Sequence, residues 1–157
     1  MVSAKPRFPR ALALDVAREI LRALDPACER LLVAGSLRRR KAEVGDVEIL
    51  YIPRTRRVTT DLFGGCAEES EAEPILAALI AEGILERRTN VIERPCGWGA
   101  RNQFAVHCAS GVPVDFFAAT TANWANYCVR RTGGGRMNVE IANAARLRGW
   151  QWNPYSE

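Results

Sequence analysis

Apolar residues recur at helical spacing in four parts of the chain. In the first, Leu12, Val16, Ile20 and Leu24 fall on one face, and Asp25-Pro26 ends the helix. The same criterion predicts three more helices, so that the four run over 12–24, 74–82, 121–130 and 139–148.

Apolar runs bounded by turn residues predict five strands, over 29–34, 46–52, 84–88, 103–108 and 112–118. The last two form a hairpin joined by Ala109-Ser110-Gly111. Stretch 54–73 is predicted to be an irregular connection, and 93–102 a loop in which Trp98 either stacks on a base or pins the loop to the core. Together these elements predict an α/β fold with a mixed β-sheet backed by helices.

The stretch from Gly35 to Ile52 carries most of the candidate chemistry. Successive side chains of a strand point to opposite faces, so Asp46 and Glu48 share one face. Two carboxylates side by side repel each other. A divalent cation relieves that repulsion, and carboxylate oxygens suit Mg²⁺ or Mn²⁺.

Gly35-Ser36 lies between a predicted strand and a predicted helix start. Free backbone N–H groups and the positive end of a helix dipole form a cradle for anions, and Ser36 and Arg39 can add donors. A phosphate cradle shortly before a carboxylate pair indicates transfer chemistry on a nucleoside triphosphate. The alternative is a plain turn followed by two edge-strand charges, Asp46 and Glu48.

Asp115 stands within an apolar strand between Val114 and Phe116. A carboxylate in such surroundings is costly to bury unless it is paired. A metal ion shared with Asp46 would remove that cost, which makes Asp115 a candidate third ligand. A structural salt bridge is the alternative.

Composition narrows the class of protein. The chain has 157 residues, 48% apolar and 25% charged, which is typical of a folded globular domain. No apolar run is long enough for a membrane span, and no signal peptide is visible. Five cysteines without a C-x-x-C motif, and the single His107, predict free thiols in a cytoplasmic protein without zinc. A net charge of +4, mostly from arginine, suits a polyanionic partner.

Four motifs follow one another along the chain: Gly35-Ser36 with the arginines after it, Gly45-Asp46-Val47-Glu48, Val114-Asp115-Phe116-Phe117, and Arg131-Thr132-Gly133-Gly134 with Asn138. In this order they resemble the nucleotidyltransferase superfamily, and within it the family X DNA polymerases. The resemblance extends over residues 7–155.

The resemblance implies a nucleotidyltransferase palm domain over 1–119 and a partial thumb over 120–157, without a lyase domain. It also implies two metal ions, Mg²⁺ or Mn²⁺, held by Asp46, Glu48 and Asp115. In this scheme Asp46 bridges both ions, while Glu48 and Asp115 flank the attacking oxygen.

The resemblance further implies a set of nucleotide-binding residues: Gly35, Ser36, Arg39, Gly45, Arg131, Thr132, Gly133, Asn138 and Arg10. Those near Gly35 and Gly45 would bind phosphates. The Thr-Gly turn would lie beside the sugar and base, and Asn138 would bind the minor-groove edge of the base. Arg10 either reaches the triphosphate or is a solvated side chain.

Some positions depart from the family pattern. Glu48 replaces the usual aspartate, and Pro113 replaces an arginine that would support Asp115. Arg130-Arg131 replaces an aromatic pair beside the sugar, and Ala142 an arginine that often meets template DNA. Because arginines prefer water or phosphate to a packed position, we expect a loose wall that accepts ribonucleotides within about tenfold of deoxynucleotides.

The resulting hypothesis is a minimal, monomeric family X-like DNA polymerase of DNA repair that transfers a nucleotide to a nucleic-acid 3′-hydroxyl and holds its DNA primer/template weakly. One alternative is a nucleotidyltransferase that modifies a small molecule, tRNA or protein. Another is a nucleic-acid-binding remnant without catalytic activity, although three retained carboxylates argue against it.

Overall fold

The structure is a computed structural model that describes residues 6–59, 65–90 and 94–153. Its helices are α1 (Arg10–Leu24), α2 (Gly35–Arg38), α3 (Ala72–Ala81), α4 (Trp124–Thr132) and α5 (Gly135–Leu147). Among these described residues, no helix combines the length and apolar character needed to cross a membrane.

The strands are β1 (Phe8–Pro9), β2 (Cys28–Val33), β3 (Glu43–Val44), β4 (Val47–Pro53), β5 (Thr55–Thr59), β6 (Cys66–Ser70), β7 (Leu85–Arg87), β8 (Asn102–His107) and β9 (Pro113–Ala118). Five of them form the main sheet in the order β2-β4-β9-β8-β7. Only β4 and β9 run parallel, and the other neighbours in this sheet are antiparallel. The predicted α/β class with a mixed sheet backed by helices is therefore confirmed.

The two faces of β4 explain how the sheet is covered. Val47, Ile49 and Tyr51 point into the main core, which also contains the buried faces of α1 and α3. Leu50 and Ile52 point to the opposite face, into a smaller core with residues of α4. Both faces of the strand are thus buried, and the predicted carboxylates belong to the face that α4 covers.

Stretch 54–73, predicted to be irregular, instead contains the antiparallel pair β5-β6. The pairing places Arg56 opposite Glu69 and Arg57 opposite Glu68, and the first pair forms an ion pair at 3.4 Å. Opposite charges across strands stabilise a hairpin that has little apolar alternation. In the sequence, the β5-β6 pair is therefore indicated by complementary charges, which a search for apolar periodicity does not detect.

Two helices also differ from prediction. The helix start after Gly35 is a single turn, so the helix dipole expected there contributes little. Helix α5 begins at Gly135, four residues before the predicted start, and includes Asn138 in its first turn. Of the three glycines at 133–135, the first two precede the helix and the third is its first residue.

The predicted boundary between a palm domain (1–119) and a partial thumb (120–157) stays a prediction. Helix α4 packs against the sheet through Tyr127, which is buried with Leu50 and Phe117. Residues 154–157 lie outside the described residues.

Candidate active site

Two predicted carboxylates lie side by side at one end of the parallel strand pair. Strands β4 and β9 pair so that Glu48 is the partner of Asp115. Partner residues of a parallel pair point to the same face of the sheet, so both side chains face α4. Asp46 directly precedes β4. The three carboxylates therefore lie at the same end of the neighbouring strands β4 and β9.

The electrostatics of Glu48 show that these charges influence one another. Burial, together with the negative charges of Asp46 and Asp115, raises the pKa of Glu48 from 4.5 to about 7. Arg131 and Arg39 act in the opposite direction. A carboxyl whose charged form is this unfavourable would be relieved by a nearby cation.

Gly35 is required by its contact with Glu48. Its φ angle of +62° lies in the left-handed region, and a methyl group on its Cα would overlap the Glu48 carboxylate. Only glycine avoids both penalties. The predicted Gly-Ser motif and the predicted carboxylate pair are therefore one packed unit.

Asp115 forms an ion pair with Arg88, whose Nη1 lies 2.8 Å from Oδ1. Arg88 follows β7, two strands away, and its guanidinium lies 5.0 Å from the centroid of the Phe104 ring. The salt bridge considered as an alternative for Asp115 is thus present. It also supplies a positive charge next to Asp115, which Pro113, two residues before it, cannot.

Carboxylate oxygens are suitable ligands for a divalent cation, but the three side chains are not close enough together to coordinate one in this structure. Within residues 6–59, 65–90 and 94–153, no three His, Cys, Asp or Glu side chains are grouped closely enough to hold a metal ion. Three mutually repelling carboxylates stay apart unless a cation offsets their charge. Metal binding by Asp46, Glu48 and Asp115 stays a prediction, and it requires the side chains to move together.

A polar cleft of about 390 Å³ opens beside these carboxylates. We call it the arginine cleft, and its lining residues are Arg7, Ser36, Arg39, Gly45, Asp46, Glu48, Arg130, Arg131, Gly133, Gly134, Gly135 and Asn138. Most predicted nucleotide-binding residues are in this set. Gly35, Thr132 and Arg10 are not, and neither is Asp115, which was predicted as a metal ligand.

Three buried polar atoms around the cleft have no hydrogen-bond partner among the described residues. They are Ser36 Oγ, Thr132 Oγ1 and Asn138 Oδ1. Nearly all buried polar atoms in folded proteins are hydrogen-bonded, so these three atoms would gain a partner from a bound water or a polar ligand.

Arg39 connects the turn at Gly35 to the end of α4. Its Nη1 donates a hydrogen bond to the carbonyl of Thr132 at 2.5 Å, across the mouth of the cleft. A guanidinium has five N–H donors, so this bond leaves others for a phosphate. The predicted phosphate role of Arg39 is compatible with its position.

Arg131 lies over the ring of Phe117 at 3.5 Å from its centroid, and its charge acts on Glu48. The expectation that arginines at this position avoid packed surroundings is wrong for Arg131. It stacks as a cation on an aromatic face, so the reason given for a loose wall does not apply to Arg131.

The amide group of Asn138 holds the turn between α4 and α5. Its Nδ2 donates to the carbonyls of Arg130 at 3.1 Å and Gly133 at 3.4 Å, and the residue is 8% exposed. The predicted binding of a base edge would need this donor group to leave its present partners. Asn138 therefore supports the turn in this structure.

Arg10 supports a turn as well. Its Nη1 donates to the carbonyl of Leu37 at 2.6 Å, and its backbone N–H donates to Ala42. This position braces the segment after Gly35, and the structure gives no support for contact between Arg10 and a triphosphate.

Sequence analysis missed three arginines of the site. Arg7 enters the cleft because β1 pairs with β3, which places it beside Gly45. Arg130 lines the cleft, although the sequence had suggested only that it replaces an aromatic residue. Arg88 reaches Asp115 through the β7-β8-β9 order of the sheet. Strands of two or three residues carry too little pattern to predict such pairings.

The fold resembles solved structures of a DNA polymerase. Leishmania infantum polymerase beta in a ternary P/T complex superposes with a TM-score of 0.71 at 16% identity, covering 96% of this chain and 57% of that one. The ternary gap complex of the same polymerase gives a TM-score of 0.70 at 18% identity, covering 96% of this chain and 50% of that one. No protein-family model and no curated protein sequence matches the chain.

These comparisons show a fold like that of polymerase beta, in a chain that spans about half the length of the polymerase structures. The identity is too low to show more than the fold. What the site does must therefore be argued from its own residues.

Proposed function

We propose that this protein is a metal-dependent nucleotidyltransferase that transfers a nucleotide from a nucleoside triphosphate to a nucleic-acid 3′-hydroxyl, in the manner of a minimal family X DNA polymerase. The observation that carries the proposal is the pairing of Glu48 with Asp115, with Asp46 adjacent, beside a cleft lined by four arginines. The polymerase-like fold is consistent with this chemistry.

The arginine cleft would bind the triphosphate. Its arginines are Arg7, Arg39, Arg130 and Arg131, and Gly45 would add a backbone N–H. Guanidinium groups match phosphate oxygens in pairs, and a site that excludes some water strengthens each contact. Ser36, which also lines the cleft, would add a hydrogen bond from its hydroxyl to a phosphate oxygen.

The carboxylates would position the attacking hydroxyl. The 3′ oxygen forms a bond to the α-phosphorus while the bond to the leaving pyrophosphate breaks, and the hydroxyl proton passes to water. Asp46, Glu48 and Asp115 would hold two Mg²⁺ or Mn²⁺ ions, which supply charge neutralisation and activation of the oxygen. Holding these groups in line is the main contribution that such a protein makes to phosphoryl transfer.

The division into a palm domain and a partial thumb belongs to this proposal, as does weak binding of the DNA primer/template. Weak binding through few phosphate contacts predicts an affinity that depends only shallowly on salt. A log–log salt slope steeper than about −5 would show a larger footprint than proposed.

The test is incorporation of each labelled nucleoside triphosphate into a primer/template with Mg²⁺ or Mn²⁺. Parallel reactions contain single-stranded DNA, tRNA, or the protein without nucleic acid. Extension of the DNA primer supports the proposal. Label found only on tRNA, protein or a small molecule would show nucleotidyl transfer but refute DNA as the acceptor. The absence of transfer in every reaction would refute the proposed activity.

A further inference from the structure

A run of four cations begins at the last residue of α2: Arg38, Arg39, Arg40 and Lys41, all exposed. Arg39 lines the arginine cleft, and the other three are its neighbours along the chain. We call Arg38, Arg40 and Lys41 the basic turn. In the described part of the chain, none of the three forms an ion pair with a carboxylate.

The backbone at Arg40 is in an unfavourable conformation. Its φ is 60°, and it is the one non-glycine residue with positive φ among those the structure describes. The N–H of Arg40 bonds to Leu37 and that of Lys41 bonds to Ser36, at 3.1 and 3.2 Å. This pattern is the Schellman motif that ends helices, in which the left-handed position is usually glycine.

A glycine at position 40 would make the same turn without strain. The backbone therefore gives no reason for an arginine there, and the reason must lie in its side chain. The like charges of Arg38, Arg39 and Lys41 add repulsion to the strain. A residue held in a costly conformation at the edge of a site suggests a functional role.

We propose that Arg40, together with Arg38 and Lys41, binds the phosphate backbone of the nucleic-acid strand whose 3′ end enters the cleft. This inference rests on the proposed function, because it needs a nucleic-acid acceptor. A strand carries a regular row of phosphates, which a row of exposed cations outside the cleft matches. The triphosphate, by contrast, would be held within the cleft, where Arg39 already points.

The test uses Arg40→Gly, because binding and strain predict opposite effects of this change. Relief of the left-handed strain should raise the Tm by about 2–4 °C. Loss of one phosphate contact should make the log–log salt slope for a single-stranded oligonucleotide shallower by about 0.7 and weaken binding about five- to tenfold at 50 mM salt.

Three further variants separate the causes. Arg40→Asn removes the charge in a residue that tolerates the left-handed region, so it should lose binding as Arg40→Gly does. Arg40→Lys retains the charge and should restore most of the affinity. Arg22→Gln removes an exposed arginine from α1, which packs on the opposite face of the sheet, and should change neither the salt slope nor the affinity.

The inference is overturned if Arg40→Gly is more stable yet binds the oligonucleotide with unchanged affinity and slope. Equal competition by polyglutamate at matched charge would also overturn it, because the basic turn would then bind any polyanion. If the wild-type protein transfers nucleotides but does not bind the oligonucleotide, the inference fails while nucleotidyl transfer stands. If binding depends on Arg40 but no transfer occurs, the inference holds and the proposed function fails.

Discussion

Replacing Glu48 by glutamine should stabilise the metal-free protein at high pH. Glutamine keeps the size of the side chain over Gly35 but removes the charge that burial and two neighbouring aspartates oppose. Because the folded-state pKa of Glu48 is raised to about 7, the folded protein binds a proton more tightly than the unfolded chain does. Stability therefore falls as pH rises from about 4.5 to 7, and the loss is complete above pH 7.

The magnitude follows from the shift. A rise from 4.5 to about 7 corresponds to at most about 3 kcal/mol at pH 8, and partial solvent access reduces this to about 1–3 kcal/mol. For a chain of this size the change amounts to roughly 3–10 °C in Tm. At pH 5 the expected gain is about a third of that value or less, because Glu48 is then protonated in the folded protein.

The assay is thermal unfolding of wild type and Glu48→Gln at pH 5 and pH 8 in EDTA. Glu86→Gln, an exposed carboxylate on β7, is the control and should shift little at either pH. Added Mn²⁺ should raise the Tm of wild type more than that of the variant. An equal Tm shift at both pH values, or a lower Tm of Glu48→Gln at pH 8, would refute the electrostatic explanation.

Variants at three further positions test the packing around the site. Gly35→Ala should lose at least about 2 kcal/mol in chemical denaturation, because its methyl would meet Glu48 at a positive φ; wild-type stability would show that Glu48 moves freely. Arg88→Gln should lose about 1–3 kcal/mol and Arg88→Lys less, since an ion pair with Asp115 is removed or kept; equal losses would contradict a charge role. Asn138→Ala should lose about 1–2 kcal/mol and raise KM for the nucleotide, and an unchanged KM would limit Asn138 to stability.

The strands of the main sheet and the three candidate carboxylates were predictable because they depend on strong local patterns, whereas the pairing of Glu48 with Asp115 was not predicted. Alternation along β4 placed Glu48 on the face opposite Ile49, and the apolar strand around Asp115 marked it as a third carboxylate of the site. The resemblance to family X polymerases added that these two strands carry one site. Each of these signals lies within a strand of six or seven residues.

The remaining features depend on contacts between distant, weakly patterned segments. Arg88 meets Asp115 only because β7 joins the far side of β8, and Arg7 meets Gly45 only because a two-residue strand pairs there. Arg131 occupies a packed position because Phe117 offers a ring to its guanidinium. Arginine is ordinarily solvated, so its type alone predicted the opposite.

The most direct test of the central claim compares wild type with Asp46→Asn in nucleotide incorporation and thermal unfolding on the same preparations. If Asp46 holds metal ions in an acidic site, the variant should lose incorporation by about a thousandfold or more. Its Tm without metal should equal or exceed that of wild type, because one repelling charge is removed. An Asp46→Asn protein that is folded and incorporates nucleotides at the wild-type rate would contradict the account.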